Sequence, residues 1–194
     1  LRAPAYPLIS VDPYFNVWCM GDRLNADNTK HWTGKNCTLT GVVRINGVDY
    51  CFMGNAAKLN LPILSQTDVE MDTFTTAYSF EGAGVRLKAV FTSPLLPDDR
   101  EMLSRPVSYL RITSESIDGT EHDVTVIVRA SEEFCMNHRG QMPVLTEEIK
   151  VADDVATIKM SGLEQPVLGK SGDDLRIDWG HFYLSADCGS KVYN

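Results

Sequence analysis

"LTGVVRINGVDYCFMG", residues 39–54, decides how the rest of the chain is read. Asn46-Gly47 is the dipeptide that a type I′ turn takes, because both central residues need positive φ. With those two residues as the loop, Ile45 stands opposite Val48, Arg44 opposite Asp49, Val43 opposite Tyr50 and Val42 opposite Cys51. The side-chain period of two puts Val43, Ile45, Val48 and Tyr50 on one apolar face. Arg44 and Asp49 meet on the other, where a cross-strand ion pair contributes a few tenths of a kcal/mol.

Strand patterns continue outward from this hairpin. "DTFTTAYSF" (72–80) turns through "EGAG" (81–84) into "VRLKAVF" (85–91), where Val85, Leu87, Ala89 and Phe91 alternate with Arg86 and Lys88. "VSYLRIT" (107–113) leads through Asp118-Gly119 into "HDVTVIVRA" (122–130), with Val124, Val126 and Val128 on one face. "EEIKVADDVATIKM" (147–160) is a second hairpin around Asp153-Asp154, and "LRIDWGHFYLSA" (175–186) a last strand broken at Gly180. No long window holds a helical period, and turn signals recur every ten residues or so, the pattern of a β-sandwich or barrel. The exception is "LPDDREMLSRP" (96–106), a short helical turn capped by Asp98 or Asp99 and ended by Pro106. "LGKSGDD" (168–174) reads as a long polar loop. The expected core includes Val43, Ile45, Tyr50, Leu87, Phe91, Tyr109, Val124, Val126 and Trp179.

A chain of 194 residues, 43% of them hydrophobic, can bury a core of its own. The formal net charge of −8, with no basic run longer than two, argues against nucleic acid and against an anionic membrane surface as partners. No apolar stretch approaches the ~20 residues that cross a bilayer. The opening Leu1-Arg2-Ala3-Pro4 lacks the cationic and apolar regions of a signal peptide. Cys19, Cys37, Cys51, Cys135 and Cys188 are odd in number, form no CxxC and have no histidine at zinc-ligand spacing. They predict small buried thiols rather than a metal site or a dense disulfide framework.

The strong catalytic fingerprints are missing: no P-loop, dinucleotide motif, HExxH or GxSxG occurs. Glu132-Glu133 and Asp173-Asp174 are acidic pairs, but neighbours on a strand point to opposite faces, and both read as solvated. Of the four histidines, His122 follows a turn and is expected to be exposed, while His31 and His181 adjoin aromatic rings. The richest constellation is "DPYFNVWCMGDRLNADNTKHWTG" (12–34). Trp18 and Trp32 offer flat faces, with Asp22, Asp27 and His31 nearby. Such a set suits a sugar or amino-acid pocket. It suits better a segment glued onto a sandwich or onto a neighbouring domain. A carbohydrate-binding module would require Trp18, Trp32 and Trp179 exposed and coplanar.

"LRAPAYPLISVDPYFNVW" (1–18) followed by "HWTGKNCTLTGVVRINGVDYCFMG" (31–54) resembles the N-terminal region of the glutaminase A family of fungi and bacteria. "FTSPLLPDDREMLSRPVSYLRITSESIDGTEHDVTV" (91–126) resembles the segment that follows there, and "RIDWGHFYLSAD" (176–187) a later strand. The resemblance implies an N-terminal β-sandwich joined to a C-terminal helical barrel of the six-hairpin type. That barrel would carry the catalytic groups, and no family catalytic motif falls on these residues. The expectation is therefore an all-β antiparallel sandwich over residues 37–194, incomplete at its C-terminal end. It would be preceded by an irregular segment, residues 1–36, packed along it. By that resemblance the chain would be a supporting part of an enzyme releasing ammonia from L-glutamine, inactive alone and without cofactor or metal. Its partner would be the helical domain of the same polypeptide, and a small-molecule substrate would bind only in the longer protein. Trp18, Asp22, Asp27, His31 and Trp32 are the candidates for a pocket rim or domain interface. The sandwich of a glycoside hydrolase is the alternative reading. The family implies an extracytoplasmic or secreted protein, whereas the cysteine pattern allows the cytoplasm.

Overall fold

The structure, a computed structural model, describes residues 3–187 and 190–191. The expectations that fall on Leu1-Arg2, Cys188 and residues 192–194 lie outside the described residues. The chain is all-β and antiparallel, and it divides into two compact units, one through Arg129 and one from Ala130.

In the first unit β1 (Tyr6–Asp12) and β2 (Phe15–Cys19) form a hairpin. β3 (Leu39–Ile45) and β4 (Val48–Met53) form the hairpin expected from residues 39–54, with all four expected pairs in register. Asn46 and Gly47 both take positive φ, +49° and +84°, and Arg44 grips Asp49 at 2.7 and 3.0 Å. Helix α1 (Ala56–Leu59) leads to β5 (Ser65–Met71), β6 (Thr75–Gly82) and β7 (Val85–Thr92). Helix α2 (Arg100–Ser104) is capped by Asp99, whose side chain accepts from the Met102 N–H at 2.9 Å. β8 (Tyr109–Ser116) and β9 (Val124–Ala130) close the unit. The sheets run β4-β3-β9 and β5-β6-β7-β8.

The core lies between these layers. Tyr78 and Phe80 of β6 stand opposite Ala89 and Leu87 of β7, and all four are fully buried. Phe52 of β4 meets Phe80 edge-on at 5.9 Å, and Tyr6 of β1 meets Tyr78 at 6.2 Å. Val43, Ile45, Leu87 and Phe91 are buried as expected, while Tyr50, Val124 and Trp179 are half-buried. Tyr109 and Val126 are exposed instead. The register pairs Phe91 with Leu110, so Leu110 and Ile112 face inward and Tyr109, one residue away, faces out. Val126 and Val48 lie on the end strands of their sheet, Val48 beside the hairpin tip, and both are exposed.

The second unit opens with a 3₁₀ turn at Glu132–Phe134. It continues as β10 (Val144–Ala152), β11 (Val155–Gly162) and β12 (Phe182–Ala186), paired in that order. Phe134 packs on Phe182 at 4.6 Å beside buried Met136 and Met160. Only residues 182–186 of the stretch 175–186 are strand, and residues 175–181 lead into it as loop.

The N-terminal segment carries more regular structure than the sequence reading expects, since β1 and β2 lie inside it. Residues 20–38 are the irregular part, and side chains strap them to the unit. Thr29 Oγ1 donates to the Cys37 carbonyl at 2.6 Å and accepts from the Leu39 N–H at 2.7 Å. Asn25 Nδ2 reaches the carbonyls of Cys51 and Leu64 at 3.2 and 2.8 Å. Gln66 Oε1 accepts from the Leu24 N–H at 2.8 Å, and its Nε2 donates to the Asp22 carbonyl at 3.3 Å.

Candidate functional site

Three of the five candidate residues gather around one side chain that the sequence reading passed over. Asn16, buried on β2, accepts at Oδ1 from Trp18 Nε1 at 2.9 Å and from the Trp32 N–H at 3.0 Å. Its Nδ2 donates to the carbonyls of Asp12 and Pro13 at 2.9 and 3.2 Å. The Pro13 carbonyl also accepts from Trp32 Nε1 at 2.8 Å and lies 3.0 Å from His31 Nε2. A carbonyl only accepts, so Nε2 carries the proton. His31 Nδ1 lies 3.0 Å from the Thr33 hydroxyl. His31, 1% exposed, thus has both nitrogens engaged inside the fold.

The two acids have other partners. Asp27 pairs with Lys30 at 2.8 Å and accepts from Asn55 Nδ2 at 3.3 Å. The Lys30 hydrogen bond holds its carboxyl below the usual carboxylate range. Asp22 is exposed and meets Gln66 through its backbone carbonyl. Of the three indoles only Trp32 is exposed. The coplanar exposed set that a carbohydrate-binding module needs is therefore not formed.

A cavity of about 100 Å³ lies beside these residues, lined by Cys19, Arg23, Leu24, Asp27, Thr29 and Lys30 among others. A second, of about 60 Å³, lies between β1 and the ends of β6 and β7. Both fall below the roughly 300–1,000 Å³ of small-molecule sites. Among the described residues no group of three or more His, Cys, Asp or Glu side chains is placed to hold a metal ion. Cys19, Cys37, Cys51 and Cys135 are buried thiols.

His122 departs from its expected exposure, its side chain being only 8% accessible. Asn46 Oδ1 accepts from the Asp123 N–H at 2.9 Å, which turns its Nδ2 toward His122 Nδ1 at 3.0 Å. Nδ1 is therefore the acceptor, and Nε2–H donates to Asp118 Oδ1 at 3.0 Å. Thr120 Oγ1 sits at 3.1 Å from the same Nε2 and donates to Asp118 at 2.7 Å. A nucleophile–histidine–carboxylate relay needs hydroxyl and carboxylate on opposite ring nitrogens. Here both share one, and the cluster is a turn lock. Thr120 first, then His122, hold the Asp118 carboxyl far below the usual range.

The acidic pairs also resolve. Glu132 and Glu133 lie on a 3₁₀ turn rather than a strand, and Glu133 is buried against the Ser131 hydroxyl at 2.9 Å. Asp173 and Asp174 are exposed, as expected. Sequence reasoning missed Asp178, which is buried and accepts from Gln141 Nε2 at 2.7 Å and Lys170 Nζ at 3.0 Å. Nearby in sequence, buried Arg176 is tied to Asn137 through its backbone N–H and its guanidinium. The one signal for this group is inverted alternation: in "RIDW" the charged residues point inward.

Residues 74–193 match the family model described as a domain of unknown function, DUF5127, and residues 1–66 match another, DUF4964. Glutaminase A of Aspergillus oryzae is 30% identical over 195 aligned residues, which cover 96% of this chain and 27% of that protein. The chain therefore spans about a quarter of the length of that relative. The resemblance to glutaminase A extends over nearly the whole sequence, and with more than half of its length matched by one model, the chain belongs to the DUF5127 family.

Proposed function

We propose that this chain is a supporting, non-catalytic β-sandwich of a glutaminase-like amidohydrolase, whose longer polypeptide converts L-glutamine to L-glutamate and ammonia. Its partner in that reading is a helical domain of the same polypeptide. The observation that carries the reading is the consumption of the candidate polar groups within the fold. Amide hydrolysis needs an activated nucleophile or water, a proton donor for the leaving amine and oxyanion stabilisation. His31 spends both nitrogens on Pro13 and Thr33, and His122 spends its own on Asn46 and Asp118. Every ring nitrogen of the two imidazoles lies within hydrogen-bond reach of a group of the fold.

The test is ammonia release from L-glutamine by residues 1–194 and by the longer product of the same gene. Activity in the longer protein alone is the expected outcome. In that protein Trp32→Ala reports whether the exposed indole borders substrate: a raised KM places it at the rim, and unchanged kinetics place it outside. Turnover by residues 1–194 alone would overturn the non-catalytic assignment. Activity of the longer protein on glycosides but not on glutamine would overturn the substrate.

A further inference from the structure

We propose that β8 is a self-complementary docking edge, and that two copies of this chain associate by antiparallel pairing of β8 with β8 about Thr113. β8 ends its sheet, and no strand lies beyond it among the described residues. The Ile117 N–H donates to the Gly84 carbonyl at 2.9 Å, continuing the β7–β8 register. Antiparallel pairs alternate, so the odd-numbered residues of β8 spend their backbone groups on β7. Leu110, Ile112, Ser114 and Ser116 turn theirs to the open edge.

Natural sheet edges are defended by charge, bulges or proline. β5 carries Asp68 and Glu70 and a bulge after Gln66, so self-pairing would set acid against acid. β10 carries Glu147 and Glu148 and a bulge after Lys150. β8 runs eight residues against β7 without a break. Its two charges, Arg111 and Glu115, have opposite sign and lie symmetrically about Thr113. In the two-fold pairing Ile112 bonds Ser114 of the second copy, and the N–H groups at the open edge of each copy meet the C=O groups of the other. Arg111, which has no carboxylate partner among the described residues, then faces Glu115 of the second copy. Glu115 is already presented by Arg86, which holds it at 2.6 Å and Glu81 at 2.8 Å. Tyr109 and Ile117, exposed by 56% and 43%, come to lie opposite one another at each end. Charge complementarity therefore selects a second copy over an unrelated strand.

Sedimentation velocity on residues 1–194 over a wide concentration range tests this. A concentration-dependent dimer is expected. Arg111→Glu should abolish it by placing acid opposite acid. Ser114→Pro removes an N–H that the single chain does not use, and should abolish the dimer with unchanged thermal unfolding. Arg111→Glu and Glu115→Arg, each monomeric alone, should associate when mixed, since both cross-strand pairs are then of opposite sign. A chain monomeric throughout overturns the proposal, as does dimerisation that survives Ser114→Pro. A mixture of the two charge variants that stays monomeric, both being folded by circular dichroism, overturns the register.

Discussion

Asn16 shows what a single residue contributes and why the sequence concealed it. Asparagine is a poor strand former, and between Phe15 and Val17 it reads as a local exception. Trp18, His31 and Trp32 are legible because their types carry chemistry, whereas the amide that gathers them carries none of its own. Asn16→Ala leaves Trp18 Nε1 and the Trp32 N–H without their acceptor. We expect a loss of about 1–3 kcal/mol, the cost of half-buried donors left without an acceptor, read as a lower denaturant midpoint. A variant that unfolds with the parent would refute the hub. Buried thiols give a second residue-scale expectation. Burial, then Glu132, pushes Cys135 up to about 11 from 9.0, and burial also raises Cys51 and Tyr78. A raised folded value means that the folded state keeps the proton longer. The associated stability is complete below the unfolded thiol value and is lost as pH rises through the folded one. Denaturation at steps from about pH 8 to about pH 11 should show stability falling across that window, less steeply in Cys135→Ser. Equal slopes in the two proteins would remove Cys135 as a cause.

At the scale of elements, legibility followed turn chemistry. Asn46-Gly47 fixed the β3–β4 register because a two-residue loop leaves no other pairing, and Ala83-Gly84, at φ +50° and +78°, does the same for β6–β7. β5 was not legible: Ser65–Met71 alternates weakly, and its place is set by pairing with β6 and by Gln66 holding the Leu24 loop. The faces of β8 and β9 were misjudged because periodicity shows that a strand has two faces and not which one the fold covers. Gly41 is a further case, its role invisible without the partner strand. The pairing of β3 and β4 shifts beside it, and a Cβ there would lie 2.4 Å from Phe52 Cζ. Gly41→Ala should cost about 1–3 kcal/mol by overpacking, since Phe52 is fully buried and packed on Phe80. Pairing it with Phe52→Leu should recover part of that loss, giving a non-additive cycle by chemical denaturation. Strict additivity would mean that the two side chains do not compete for the space.

The two family models and the folded units divide this molecule differently, and the aromatic core decides which division is physical. One model ends at residue 66 and the other begins at 74, so the division falls within β5 and the turn that follows it. β6 nevertheless buries Tyr78 and Phe80 against Tyr6 of β1 and Phe52 of β4, rings that belong to the other match. Large aromatic side chains of this kind cost about 3–5 kcal/mol each when their packing is removed, a large share of the stability of any small domain. A fragment of residues 74–129 keeps β6, β7 and β8 but loses every ring across the layer. We expect it to unfold without a cooperative transition and to bind hydrophobic dye. Residues 1–129, the first compact unit, keep the core whole and should melt in a single transition. Calorimetry on both fragments checks this directly. A cooperative melt of residues 74–129 would mean that these strands of the second match fold without the first, and would leave the Tyr6–Tyr78 and Phe52–Phe80 contacts as a docking seam rather than a shared core.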